Sequence, residues 1–170
     1  MTSDKSGRTV TAASFCGTIE TKRSAAAVKE AASHSLPLRH AGFASARSPE
    51  LPPIPLDLYN AIKLRVRSDG RPYLCSIKTG GDLVSQEDDL YQALLQAETP
   101  GEWEDMVVPF GNFVLTWRGS VQPQQPYFNA SRVASIGFGI ADRQPGGFRL
   151  DVASIAAVRV EGRAPGAADR

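Results

Sequence analysis

Eighteen consecutive residues, Ala61–Lys78 (AIKLRVRSDGRPYLCSIK), constrain the fold more than any other stretch of this chain. Ile62, Leu64 and Val66 alternate with Lys63, Arg65 and Arg67, the period of a strand with one wet face. Asp69-Gly70 follows, a favoured pair for a two-residue hairpin loop because that turn needs positive φ, which Asp and Gly tolerate. The spacing predicts a hairpin in which Ser68 faces Arg71, Val66 lies opposite Tyr73, Leu64 opposite Cys75 and Ile62 opposite Ile77. All six apolar side chains then share one face, and a one-residue slip would turn half of them into water.

The remaining pattern also reads as short strands between Gly/Pro turns. Val10 to Ile19 forms a first strand, with Gly17 as a candidate bulge. Gly42–Arg47 forms a second, and Pro49, Pro52, Pro53 and Pro55 then force an extended connector that lacks ladder donors. Glu102–Val108 is strand-like and ends at Pro109-Phe110. Phe113, Leu115 and Trp117 alternate before an Arg118-Gly119 turn. Arg132–Ala141 carries an apolar face (Ala134, Ile136, Phe138, Ile140) and a nearly bare one (Ser135, Gly137, Gly139). A bare face admits something bulky against the backbone, with a neighbouring aromatic favoured over a ligand. Phe148, Leu150 and Val152 open a last long strand toward Val160. One segment points the other way: Leu90, Ala93, Leu94 and Ala97 have helical spacing, and Ser85 with Asp88 resembles a capping box.

This pattern argues for an all-β antiparallel sandwich. Residues 1–160 read as one sandwich domain, with a surface insertion at 24–38 and a disordered tail at 161–170.

Composition bounds the function. The chain has 170 residues, 42% hydrophobic and 22% charged, enough for a core without staples. A formal net charge of +1 gives no bulk attraction to nucleic acid or acidic lipid. No apolar run approaches the roughly 20 residues of a membrane helix. The first thirteen residues lack the apolar core of a secretory signal and the Arg-rich amphipathic stretch of an import peptide. Cys16 and Cys75, both in apolar strand-like settings, read as two buried thiols.

Chemistry is hard to find. His34 and His40 have no metal-ligand partner at a usable spacing, and no nucleophile sits near a basic partner. Glu87-Asp88-Asp89 reads as a solvated acidic run, and Gly80-Gly81 and Gly146-Gly147 as turns. The residues therefore predict no catalytic, cofactor or metal site. Lys63, Arg65 and Arg67, joined by Lys78 on the partner strand, make a basic stripe on the hairpin's outer face. It serves either as solubility and edge protection or as a docking surface for an acidic partner or lipid headgroups. Trp103 reads as a core residue; Trp117 stays open between core and platform.

Taken together, ordered blocks resemble the family of complex I intermediate-associated proteins of the thirty-kilodalton type. They are Phe15-Cys16-Gly17-Thr18, Gly42-Phe43-Ala44-Ser45, Leu64 through Tyr73, Trp103 through Phe110, Trp117-Arg118-Gly119, Ile136 through Gln144, Gly147-Phe148 and Leu150. The resemblance implies a galactose-binding-like jelly roll with no known catalytic residue. It also implies a non-enzymatic chaperone for mitochondrial NADH:ubiquinone oxidoreductase, on the matrix side of the inner membrane. Its expected partners are early membrane-arm intermediates and other assembly factors, with peripheral inner-membrane association and no nucleic acid. The family places a strand around Leu90–Ala97, against the helical spacing. Lys63, Arg65, Arg67, Trp117 and Arg118 are the candidate partner contacts.

Two other functions are weighed. A carbohydrate-binding module would need exposed aromatics among polar groups, for which Tyr127, Asn129 and Trp117 are the available set. A hydrolase or oxidoreductase fragment lacks any visible nucleophile, base or cofactor loop.

Overall fold

Ile62, Leu64 and Val66 belong to one sheet and Tyr73, Cys75 and Ile77 to another. The structure, a computed structural model, describes residues 2–3, 9–22, 42–50, 52–80, 89–126 and 128–161. Twelve strands are present among them. A short pair, β1 (Thr2–Ser3) and β2 (Thr9–Val10), precedes β3 (Ala13–Ile19), β4 (Ala44–Arg47), β5 (Ala61–Ser68) and β6 (Tyr73–Thr79). Then come β7 (Asp89–Leu95), β8 (Trp103–Pro109), β9 (Val114–Trp117), β10 (Ser120–Val121), β11 (Val133–Ile140) and β12 (Gly146–Val158). One layer runs β10-β9-β7-β6-β11-β4 and the other β3-β12-β5-β8, antiparallel throughout.

The expected hairpin is therefore an arch between layers. Both β5 and β6 are central strands whose two edges are already taken by other strands, so neither has an edge left for the other. The favoured two-residue hairpin loops need positive φ at the first central position, and type I′ at both, whereas only the second residue of this pair, Gly70 (φ 94°), has it. Asp69 bonds away from a hairpin partner instead. Its carboxylate accepts the N–H of Arg149 (2.8 Å) and of Arg71 (3.0 Å) and the Tyr73 hydroxyl (3.1 Å). Its own N–H donates to the Arg149 carbonyl at 3.1 Å. Alternation puts the same six side chains inside either way, because an arch and a hairpin share the period-two pattern. The hairpin of that type joins β9 to β10, where Arg118 (φ 49°) and Gly119 (φ 78°) are both left-handed.

The interior lies between the layers. Leu64, Val66, Tyr73, Ile77, Tyr91, Leu95, Ile140 and Leu150 are almost fully buried there. Phe15 stacks on Phe148 (centroids 5.0 Å) and meets Tyr73 (6.3 Å). Phe128 contacts Phe110, Tyr91 and Phe113 at 4.7, 5.3 and 5.7 Å.

Other expectations divide. Residues 89–95 are a strand, as the resemblance implied and the helical spacing did not, with Tyr91, Ala93 and Leu95 turned inward. Gly17 is no bulge. It sits in unbroken register opposite Phe148, whose ring atom lies 3.0 Å from where a β-carbon would stand. The register shifts are in β12, between Val152 and Ser154, and in β11, between Val133 and Ser135. The bare face of β11 admits neither an aromatic nor a ligand at Gly137. A β-carbon there would be 2.5 Å from the Ala46 carbonyl oxygen, so the edge strand β4 needs the space. The proline connector continues along β11, with the Ser48, Ile54 and Leu56 N–H groups donating to Ile136, Val133 and Ala130. The expected insertion at 24–38 lies outside the described residues, as do His34, His40, Gly81, Tyr127, the capping box at 85–88 and the tail beyond Glu161.

Candidate functional site

Three surface regions compete, and register decides what each can do. On β5, Lys63, Arg65 and Arg67 point outward while Leu64 and Val66 point in. Their in-register neighbours are Val107, Asp105 and Trp103 on β8, with Asp151 beside Arg67 on β12. Lys63 Nζ lies 2.9 Å and Arg65 NH1 3.2 Å from Asp105. Arg67 donates to Asp151 from Nε (3.1 Å) and NH2 (2.6 Å). Arg149 Nε donates to both Asp151 oxygens (3.0 and 3.1 Å), and Ser14 Oγ donates to one at 2.6 Å. Each cation of the stripe thus holds a carboxylate. Four cations share two acids, an excess of two positive charges.

The carboxylates respond to this setting. Hydrogen bonding from Lys63, against a smaller opposing effect of burial, holds the Asp105 carboxyl below its ordinary range, with Arg65 adding to it. Burial pushes Asp151 upward, but bonds from Ser14, Arg149 and Arg67 together outweigh burial and leave it lowered.

Two expectations fail on this face. Lys78 does not join the stripe, because β6 is in the other layer and its ammonium pairs with Glu50. Trp103 is not a core residue: it faces outward opposite Arg67, whose guanidinium lies 5.2 Å from the ring centroid. The Cys16 thiol is also exposed rather than buried, since Phe15 and Ile19 claim the inward side of β3. Cys75 is buried, and burial pushes its thiol up to about 12.

The second region is the β9–β10 tip. Trp117 is 39% exposed, and the Arg118 guanidinium lies 5.0 Å from its ring centroid. Asn129, the polar member of the sugar-binding set, accepts the Ser131 hydroxyl at 2.7 Å. The candidate contacts therefore fall on two separate layers, three on β5 and two at this tip.

The third region was missed from sequence. The outward side chains of β6, β7, β9 and β10 include no charge over Leu74-Ser76, Leu90-Gln92-Leu94, Val114-Thr116 and Val121. Alternation in 90–94 was its signal, masked by the helical spacing of the same leucines. Here Thr116 Oγ1 donates to Gln92 Oε1 (2.9 Å) and Gln92 Nε2 donates to Ser76 Oγ (3.0 Å).

No cluster of His, Cys, Asp and Glu among the described residues could hold a metal, and no helix there is long and apolar enough to cross a membrane.

Comparison with known proteins bears on the whole sandwich. The family model described as complex I intermediate-associated protein 30 matches residues 2–152. The mitochondrial protein of that name from Neurospora crassa is 31% identical over 118 residues, covering 65% of this chain and 41% of its own length. The Drosophila melanogaster protein is 32% identical over 96 residues (55% and 32%), and the Mus musculus protein 28% over 94 residues (55% and 29%). The chain thus spans less than half the length of these relatives. Among solved structures, a family 11 carbohydrate-binding module from Clostridium thermocellum, in complex with a mixed-linked tetrasaccharide, superposes with a TM-score of 0.52. It is 14% identical and aligns over 87% of this chain and 84% of that one. A family 11 module of a cellulosomal cellulase from the same organism gives 0.52 and 15%, covering 94% of each chain. At these identities the likeness establishes the jelly-roll fold alone.

Proposed function

Because the chain belongs to the complex I intermediate-associated protein 30 family, we propose that it is a non-enzymatic assembly factor of mitochondrial respiratory complex I. In this reading it acts as a chaperone on the matrix side of the inner membrane. It binds early membrane-arm intermediates and other assembly factors, and associates peripherally with the membrane. The observation that carries the reading is the family match over residues 2–152, across both layers of the sandwich. A rigid sandwich suits the task physically, since a chaperone of a half-built module needs a preformed surface rather than a reacting group.

Partner contact is assigned to Lys63, Arg65 and Arg67 on one layer and to Trp117 and Arg118 on the other. Rim charges of this kind steer encounter and fix orientation more than they add affinity. The paired acids Asp105 and Asp151 hold the cations in place, which lowers the entropy lost when a partner arrives.

Affinity capture of the tagged full chain from intact mitochondria tests the reading. Complex I membrane-arm subunits and assembly factors are expected in the eluate. Their absence, in a preparation where a known assembly factor captures them, rejects it.

A further inference from the structure

We propose that the outward face of β7, β9 and β10, together with Leu74 and Ser76 of β6 and short of the Lys78–Glu50 pair, is a docking surface for the apolar stripe of one amphipathic helix of a partner protein. The inference rests on the assembly-factor reading and names a contact surface for it, adjoining the Trp117-Arg118 tip.

The argument starts from exposure. Leu94 and Val121 are each 64% exposed and Val114 is 39% exposed, on a face that also carries Leu74 and Leu90. Register makes these one patch: Leu74 is opposite Leu94, Val114 opposite Gln92, and Val121 opposite Thr116, which itself faces Leu90. The outward face of β5 and its neighbours, by contrast, is dominated by ion pairs.

The polar groups between the aliphatics bond to one another and to the backbone. Thr116 is bonded to Gln92 and to the Leu90 carbonyl (3.0 Å), and Gln92 to Ser76. Ser76 and Thr116 are already buried. A partner that covers this face therefore meets polar groups already bonded to one another, which reduces the cost of burying a polar sheet surface.

Two considerations select the occupant. Backbone N–H and C=O groups of β6, β7 and β9 are engaged in the ladders on both sides, so the face offers no main-chain bonds. An extended segment laid across it would leave its own backbone unsatisfied, whereas a helix brings its bonds with it. Size excludes a second copy as a stable partner. Four strands spaced by ~4.8 Å, with one to three outward residues each, present about 300 Å², against ~800 Å² per partner in a standard interface. The ~19 Å width accommodates about 13 helical residues at 1.5 Å each.

The test uses the full-length, ¹⁵N-labelled chain and a synthetic 14-residue helix with leucines at i, i+3, i+4 and i+7. Saturable shifts confined to 74–76, 90–94, 114–116 and 121 are expected. Leu94→Lys with Val121→Lys should weaken binding about tenfold, while Leu58→Lys, at a 76% exposed position in the turn before β5, should leave it within twofold. A peptide with the same leucines scrambled should not bind. The proposal is overturned if shifts are absent at millimolar peptide, map to the β5 face, or are equal for the scrambled peptide. It is also overturned if the face instead mediates self-association or adhesion to phosphatidylcholine vesicles, each abolished by the double variant. Mitochondrial capture separates the two readings. A helix-binding chain that recovers no complex I subunit rejects the assembly role and keeps the surface. Subunits recovered equally by the double variant reject the surface and keep the role.

Discussion

Arg71 and Asp142, 71 positions apart, form a two-pronged bond that ties the arch between the layers to the turn before β12 (2.8 and 2.7 Å). The remaining reach of the guanidinium goes to the carbonyls of Gln144 (2.6 Å), Gly147 (2.7 Å) and Gly146 (3.2 Å). The pair is nearly enclosed, with side-chain exposures of 14% and 4%. Removing one member of such a pair strands the other, so Arg71→Ala should lower stability by about 3 kcal/mol. Arg71→Lys should recover only a minor part, because an ammonium cannot reproduce the fork. Urea unfolding at unchanged m-value measures both.

Acid should unfold the protein through identifiable groups. The Asp142 carboxyl is lowered, first by its bond from Arg71 and against burial, with the Gln144 N–H adding to it; Asp151 and Asp105 are lowered as well. A carboxyl depressed in the folded state stabilises fully above its unfolded value, about 3.9, and that contribution vanishes as pH falls through the folded value. The unfolding free energy should therefore drop steeply below pH ~4. Asp151→Asn should be less stable at neutrality and show a shallower drop, read from unfolding midpoints against pH.

The two thiols should differ sharply in reactivity. Cys16 stands in solvent and Cys75 is fully buried, with its thiol pushed up to about 12. Iodoacetamide at pH 8 should modify Cys16 alone in the native protein and both in urea. Equal labelling without denaturant would contradict the burial of Cys75.

Neighbouring glycines on β11 should respond unequally to a methyl group. At Gly137 it would meet the Ala46 carbonyl oxygen at 2.5 Å, whereas at Gly139 its nearest neighbour is 3.6 Å away. Gly137→Ala should cost about 1–3 kcal/mol and loosen β4. Gly139→Ala should be close to neutral, both read from urea unfolding midpoints.

Much of the sandwich was legible because burial imposes a period of two. The alternation in Ala61–Ser68 and in Val133–Ile140 reads directly as strands. What alternation cannot carry is the identity of a strand's neighbour. Asp69-Gly70 looked like a hairpin because turn propensity is local, while the bonds that make it an arch come from Arg149 and from Arg71 reaching Asp142. The acids that pair with the basic stripe were hidden for the same reason. Its cations alternate along one strand, but the acids that pair with Arg65 and Arg67 sit 40 and 84 positions away, at Asp105 and Asp151. Leu90 and Leu94 satisfied a helical and a strand pattern equally, and only the sheet around them chose.

The position of β12 between β3 and β5 has a consequence for synthesis. The inner plank of the four-stranded layer is the last strand of the described chain to leave the ribosome. Until it does, β3 lacks its partner in the layer and β5 one of its two, and the nascent chain holds an incomplete layer with apolar side chains uncovered. Folding of this protein therefore waits on translation, and the molecule is itself open to chaperone capture during that interval.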